Sequence, residues 1–217
     1  MALQQLFPGL YATNSAPLPF MAGVVVRSFI LQTTTGVVII YNSPGIDEAA
    51  QEIATLGTPT RLLLNHYHEA IYGQPKLDVA VYIHEWDRPG VEATMQLAGD
   101  FKHPQVLGTD LELIPSYAHT VGTTFFLWNS GEHRFLFPGD SLWIEDGIWK
   151  AVILPESDRR MFLNTLTLLR GIDFDVLVPW HAPRGAAPFD VITPEQKLAH
   201  LDALIERITA GASGPRA

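Results

Sequence analysis

Two apolar periods alternate along this chain. VVVRSFILQ (24–32) and GVVIIYN (36–42) are dense in β-branched residues and flank the turn-like TTTG, so the first 40 residues read as β-strands. NSPGID breaks that pattern. In EAAQEIATL (48–56) apolar residues return at helical spacing, with Asp47 as the expected cap and GTPT as the stop. RLLLN (61–65) and DVAVYI (78–83) are short continuous apolar runs, the signature of buried strands. Helical material is expected from His84, and the polar, glycine-broken QLAGDFKHPQVLGTD (96–110) is expected to be loop. LELIP, TTFFLWN and HRFLFPGD read as successive short strands, with NSGEH (129–133) as a hairpin turn. SDRRMFLNTLTLLRGI (157–172) is an amphipathic helix capped by Ser157 or Asp158, and FDVLVPW (174–180) is a last buried strand. TPEQKLAHLDALIERITA (193–210) is a helix with Thr193 at its cap and Pro194 in its first turn. GASGPRA (211–217) is expected to fray.

Strands and helices alternate, hairpins occupy the middle, and there is neither a repeat nor a linker. The pattern predicts one α/β domain over residues 1–217, layered, with mixed sheets; a strictly parallel doubly wound sheet fits less well. A length of 217 residues, with 17% charged, suits one large core.

Composition removes several function classes. The chain has no cysteine, which excludes disulfides, thiolate zinc sites and a cysteine nucleophile. It carries 14 Lys and Arg against 23 Asp and Glu, a net charge of −9, with no basic cluster to meet a nucleic-acid backbone. No apolar run approaches the roughly 18–20 residues that span a bilayer. The N-terminal MALQQLFPGLYATN lacks a basic stretch followed by an apolar core. The expectation is a cytoplasmic protein without nucleic-acid or membrane partners, acting on a small molecule. Oligomeric state has no signal in the sequence.

Potential metal ligands fall at the ends of predicted strands, where layered α/β folds present functional loops. His66 and His68 follow RLLLN, His119 lies in PSYAHTVG, Asp140 in FLFPGDSLW and His181 in VLVPWHAP. Imidazole and carboxylate ligands suit zinc, iron or manganese. On an extended segment alternate residues share a face, so His66 and His68 can chelate one ion. A lone loop histidine is by default solvated or hydrogen-bonded, and His84, His103, His133 and His200 are read that way.

Taken together, these stretches resemble the metallo-β-lactamase-fold hydrolases, the superfamily that includes glyoxalase II. LLLNHYHEAIYG is similar to the family's His-x-His-x-Asp-His motif at His66, His68 and Gly73. AHTVGTTFFLW matches its His-Thr-x-Gly stretch, FLFPGDSLW its Gly-Asp-Ser/Thr-Leu, and VLVPWHAP its Pro-Gly-His with Trp180 in the glycine's place. The resemblance runs from about residue 8 to 207. It implies a four-layer αββα sandwich of two mixed β-sheets with helices on the outer faces.

The resemblance also implies a metal held by His66, His68, His119 and Asp140, all present. The second metal of the family would fall to positions 70, 71, 140 and 181, and here Ala70 and Ile71 replace two of its ligands. Two ligands are too few for a divalent ion in water, so one ion is expected: zinc first, iron or manganese as alternatives. Glu69, next to the missing aspartate, is a possible substitute ligand that its position should point elsewhere. Asp140 and His181 are the catalytic candidates; Tyr67, Tyr72, Trp143 and Trp180 are candidate walls of a substrate pocket. Ser141, Lys150, Arg159 and Arg160 are candidate contacts for an anionic substrate. The implied activity is hydrolysis of an ester, thioester or lactone-like carbonyl by metal-bound hydroxide. A non-catalytic member binding a small ligand is the alternative. His66, His119 and Asp140 also match the ligand set of the superfamily's persulfide dioxygenases, which resemble the full first motif that this chain lacks.

Overall fold

The computed structural model describes residues 1–217. Two mixed sheets carry the fold. The first has seven strands in the spatial order Leu3–Phe7, Leu10–Thr13, Phe29–Thr33, Gly36–Ile40, Pro59–Leu63, Val81–His84 and Gly99–Phe101. Its first half is antiparallel and its last three pairings are parallel. The second has six, in the order Gln105–Leu107, Leu111–Pro115, Thr124–Asn129, Arg134–Phe137, Val176–Leu177 and Asp190–Val191. Only the pairing of Arg134–Phe137 with Val176–Leu177 is parallel in that sheet.

Side-chain alternation builds the layers. Along the first sheet Phe29, Leu31, Val38, Ile40 and Leu63 face the second sheet, where they meet Leu111, Leu113, Phe126, Trp128, Phe135 and Phe137. The intervening residues Ile30, Val37, Ile39 and Leu62 face the other way, against Ile46 and Ile53 of the helical segments Gly45–Glu48 and Ala50–Leu56 and Ala49 between them. The second sheet repeats this arrangement. Its outward Phe125, Leu127, Leu136 and Leu177 pack on helices Arg159–Gly171 and Pro194–Thr209. Strands buried on both faces read as continuous apolar runs, which is why RLLLN and TTFFLWN look as they do. Three apolar layers between four structural layers make the αββα sandwich.

Several local expectations change. The polar segment 96–110 is not all loop: within it Gly99–Phe101 and Gln105–Leu107 form edge strands of the two sheets, where one side of the strand needs no partner and polar residues are tolerated. One of three helix starts differs too, and the other two are as expected. Asp47 lies inside the first turn, and its carboxylate accepts from the Lys76 and Leu77 amides. Asp158 caps its helix by accepting from Met161 N, and Thr193 forms a capping box with Gln196.

The segment expected to fray is tied down. Ile153 bridges Gly214, the Ala151 and Ala217 amides and carbonyls pair, and the Trp143 indole donates to Pro215 O. No helix is long and apolar enough to cross a membrane.

Candidate metal centre

Each ligand arrives from a strand end. After Pro59–Leu63 the chain stays extended through His66, then tightens into a short 3-10 helix, Tyr67–Tyr72. His119 lies in the connection between Leu111–Pro115 and Thr124–Asn129. Asp140 follows Arg134–Phe137 in a tight turn that Gly139 enters at φ +60. A Cβ on Gly139 would lie 1.8 Å from Asn65 Oδ1, so only glycine lets the two loops touch. His68, His119, His66 and Asp140 each offer one ligand atom, all within 4.8 Å of one another.

The hydrogen bonds choose which atoms those are. His119 Nδ1 donates to Val152 O at 2.9 Å, leaving Nε2 to face His68 Nδ1 at 2.9 Å and Asp140 Oδ2 at 3.8 Å. His66 Nδ1 faces Asn65 Oδ1 at 3.2 Å and Glu69 Oε1 at 3.4 Å, while its Nε2, 3.3 Å from Asp140 Oδ2, is buried without a hydrogen-bond partner. Tetrahedral zinc bonds of about 2.0–2.1 Å require ligand atoms about 3.3 Å apart, and these spacings scatter around that value. The second nitrogens of His66 and His119 are held by neighbouring protein groups, as is usual for metal-ligating histidines.

Electrostatics favour a cation at this point. Burial and the neighbouring His66 charge push His119 down to about 3 and His68 down to about 4, so both present neutral nitrogens at pH 7. Burial also lowers His66, but Asp140 and Glu69 on its two sides outweigh that and raise it to about 10. Burial alone would raise Asp140; His66 and His181 hold it well below the usual carboxylate range. Of the two buried carboxylates beside His66, Asp140 faces the other histidines and places negative charge where the four donor atoms meet. The donor set, its orientation and this charge fit one divalent ion.

Glu69 is no ligand. Its carboxylate accepts from the Asn42, Asn65 and His66 amides, behind His66. Asp87 does the same for the other loops, accepting from Tyr67 N, Gly122 N and Thr120 Oγ1. The sequence offered no sign of either role, since a single acidic residue between apolar segments looks like surface charge. Ala70 is buried among Ile46, Ile53 and Met95 under the helical layer, and Ile71 is exposed, so positions 70 and 71 turn away from the centre rather than lining an empty second site.

His181 opens the short strand His181–Pro183, which pairs with Val24–Val26. Its Nδ1 lies 2.8 Å from Asp140 Oδ1, Trp143 packs on its ring, and its Nε2 is buried without a partner. A cavity of about 360 Å³ opens over His68, His119, Asp140 and His181, walled by Leu18, Phe20, Met21, Val152, Leu154 and Pro215. Tyr67, Tyr72, Trp143 and Trp180 are not among its walls. The Tyr67 ring packs on His68 and Trp180 on His66, Trp143 is fully buried, and the Tyr72 hydroxyl donates to Pro17 O. Ser141, Lys150, Arg159 and Arg160 do not line it either; Arg159 donates to Ile208 O. A larger open cleft of about 740 Å³ near Leu3, Tyr11 and Arg27 gathers no comparable donor set. His84 faces Lys102 O, His133 pairs with Asp175, and His200 stacks on Trp149, all apart from the centre.

No protein-family model matches the sequence, and no curated protein does. Solved structures match over nearly the whole chain. VMB-1, solved at pH 5.5, is 14% identical over 97% of this chain and 97% of its own, with a TM-score of 0.72. The DIM-1 metallo-β-lactamase exposed to ceftazidime is 10% identical, covering 93% and 96%, with a TM-score of 0.71. A metallo-β-lactamase from Pontibacter korlensis is 17% identical, covering 94% and 98%, with a TM-score of 0.67. This chain therefore has the metallo-β-lactamase fold, and its own residues build the candidate metal site within it.

Proposed function

We propose that the chain is a hydrolase of esters, thioesters or lactone-like carbonyls with a single metal site at His66, His68, His119 and Asp140. The observation that carries this reading is the convergence of four donors, His68, His119 and Asp140 lining a cavity and His66 buried behind them. A divalent ion there, zinc with iron or manganese as alternatives, lowers the pKa of water towards about 7 and polarises a carbonyl.

The chain's own groups supply the rest. Asp140 serves two partners: Oδ2 faces the histidine cluster and Oδ1 accepts from His181 Nδ1. That bond leaves His181 Nε2 with a free lone pair beside the cavity, suited to take the proton of an attacking water and return it to a leaving oxygen or sulfur. The geometry favours His181 over Asp140 as the base, because both carboxylate oxygens of Asp140 are engaged. Apolar walls keep bulk water from the carbonyl.

The test is metal analysis of protein purified without added metal or chelator, together with ester and thioester turnover of wild type and His66→Ala. One ion per chain and turnover that disappears with it support the reading. One ion with no turnover would instead support a ligand-binding protein. Two ions per chain would overturn the single-site reading.

A further inference from the structure

We infer that the cavity selects an uncharged substrate whose acyl side is a short apolar chain. This rests on the hydrolytic reading of the same site and narrows it. All six wall residues beyond the donor set are apolar, and no lysine or arginine lines the space. Asp140 lines the space and Glu156 lies close enough to act on His68, so the acidic side chains there would repel a substrate carboxylate. A substrate anion held between the walls, away from the metal position, would lose its water and find no cationic side chain as partner. An alkyl chain loses nothing on entering and gains burial.

The walls are built rather than incidental. Leu18 and Met21 are buried and locked by a run of turn bonds, Met21 N to Leu18 O, Val24 N to Met21 O and Leu18 N to Val24 O. That turn belongs to the same small sheet as His181, whose backbone is paired with Val26. Across the cavity Val152 has two roles, since its carbonyl holds His119 Nδ1 while its side chain forms wall. Leu154 continues that wall, and Phe20 stands 68% exposed at the edge. An acyl chain placed between these walls puts its carbonyl near His68, His119 and Asp140 and beside His181. A volume of about 360 Å³ is at the small end of ligand pockets, which limits the chain to a short one.

The experiment uses the zinc-loaded full chain, p-nitrophenyl esters from acetate to octanoate, a p-nitrophenyl ester of succinate, and octanamide as a neutral ligand. The expected result is kcat/KM rising about fourfold per added methylene until the cavity is full. The succinate ester should be poorer than butyrate, and octanamide should bind by calorimetry. Leu154→Lys, at a half-buried wall position, should reverse the order of succinate and butyrate without changing metal content. Ester turnover with no dependence on chain length, or faster turnover of the succinate ester by wild type, overturns the inference and leaves the hydrolytic reading standing. Octanamide binding that Leu154→Lys weakens, with no ester turnover, upholds the apolar cavity and overturns hydrolysis. No octanamide binding and no turnover overturn both.

Discussion

At the scale of single residues, metal ligation and catalysis separate cleanly. His66 presents a buried, unpartnered Nε2 to Asp140, so His66→Ala should remove the ion as well as turnover, read by elemental analysis of the purified variant. The His181 ring is hydrogen-bonded to Asp140 and packs on Trp143. His181→Ala should keep its ion and lose roughly 10²–10⁴ in kcat, the usual worth of a general base. Loss of the ion from His181→Ala would show that it ligates and would end its assignment as base. Glu69 contributes differently. Truncating it leaves three buried amides without an acceptor, each worth about 1–3 kcal/mol. Glu69→Ala should therefore fall by several kcal/mol in urea unfolding, and Glu69→Gln, which keeps a carbonyl oxygen, should lie between it and wild type. An unchanged midpoint would mean that water replaces the carboxylate and that it does not support the His66 loop.

At the scale of elements, the site depends on loops pinned to one another. Asp87 ties the 3-10 turn that carries His68 to the loop that carries His119, through Tyr67 N, Thr120 Oγ1 and Gly122 N. Gly122 is required for this contact, because a Cβ there would lie 2.6 Å from Asp87 Cγ. Asp87→Ala and Gly122→Ala should each weaken zinc affinity about 10–100-fold with the fold intact, as lost outer-shell partners do. Competition with a chromophoric chelator measures the affinity, and circular dichroism checks the fold; wild-type affinity in both variants would remove Asp87 from the site's support. Periodicity revealed the strands and helices but not these ties. RLLLN announces a buried strand by itself, whereas Asp87 acquires its role only when two loops from different sheets fold over it. The polar 96–110 segment misled for a related reason: an edge strand looks like a loop until its neighbour is known. The tail misled through its glycine, serine and proline content, which says nothing of the open strand edge at Ala151–Ile153 that it pairs with.

At the scale of the whole molecule, the cluster of candidate donors was legible and the cavity was not. Three motifs in order placed His66, His68, His119 and Asp140 together because each follows a strand at the same edge of the sandwich. The walls come from three segments remote in sequence, Leu18–Met21, Val152–Leu154 and Pro215, with no local pattern to mark them. The same long-range convergence would make an ion bound there a stabiliser of the entire fold. His66 and His68 belong to the first sheet's loops and His119 and Asp140 to the second's, so one ion held by all four would join the two halves of the sandwich. A ligand that binds only the folded state adds about 2.7 kcal/mol when present at 100 times its Kd. For a chain of this size that corresponds to roughly 5–10 °C in Tm. Zinc should raise Tm by that amount over EDTA-treated protein, measured by thermal unfolding at fixed protein concentration. His181→Ala should keep the full shift and His66→Ala should lose it. A shift of equal size in His66→Ala would place the stabilising ion elsewhere on the molecule and break the link between this cluster and the metal.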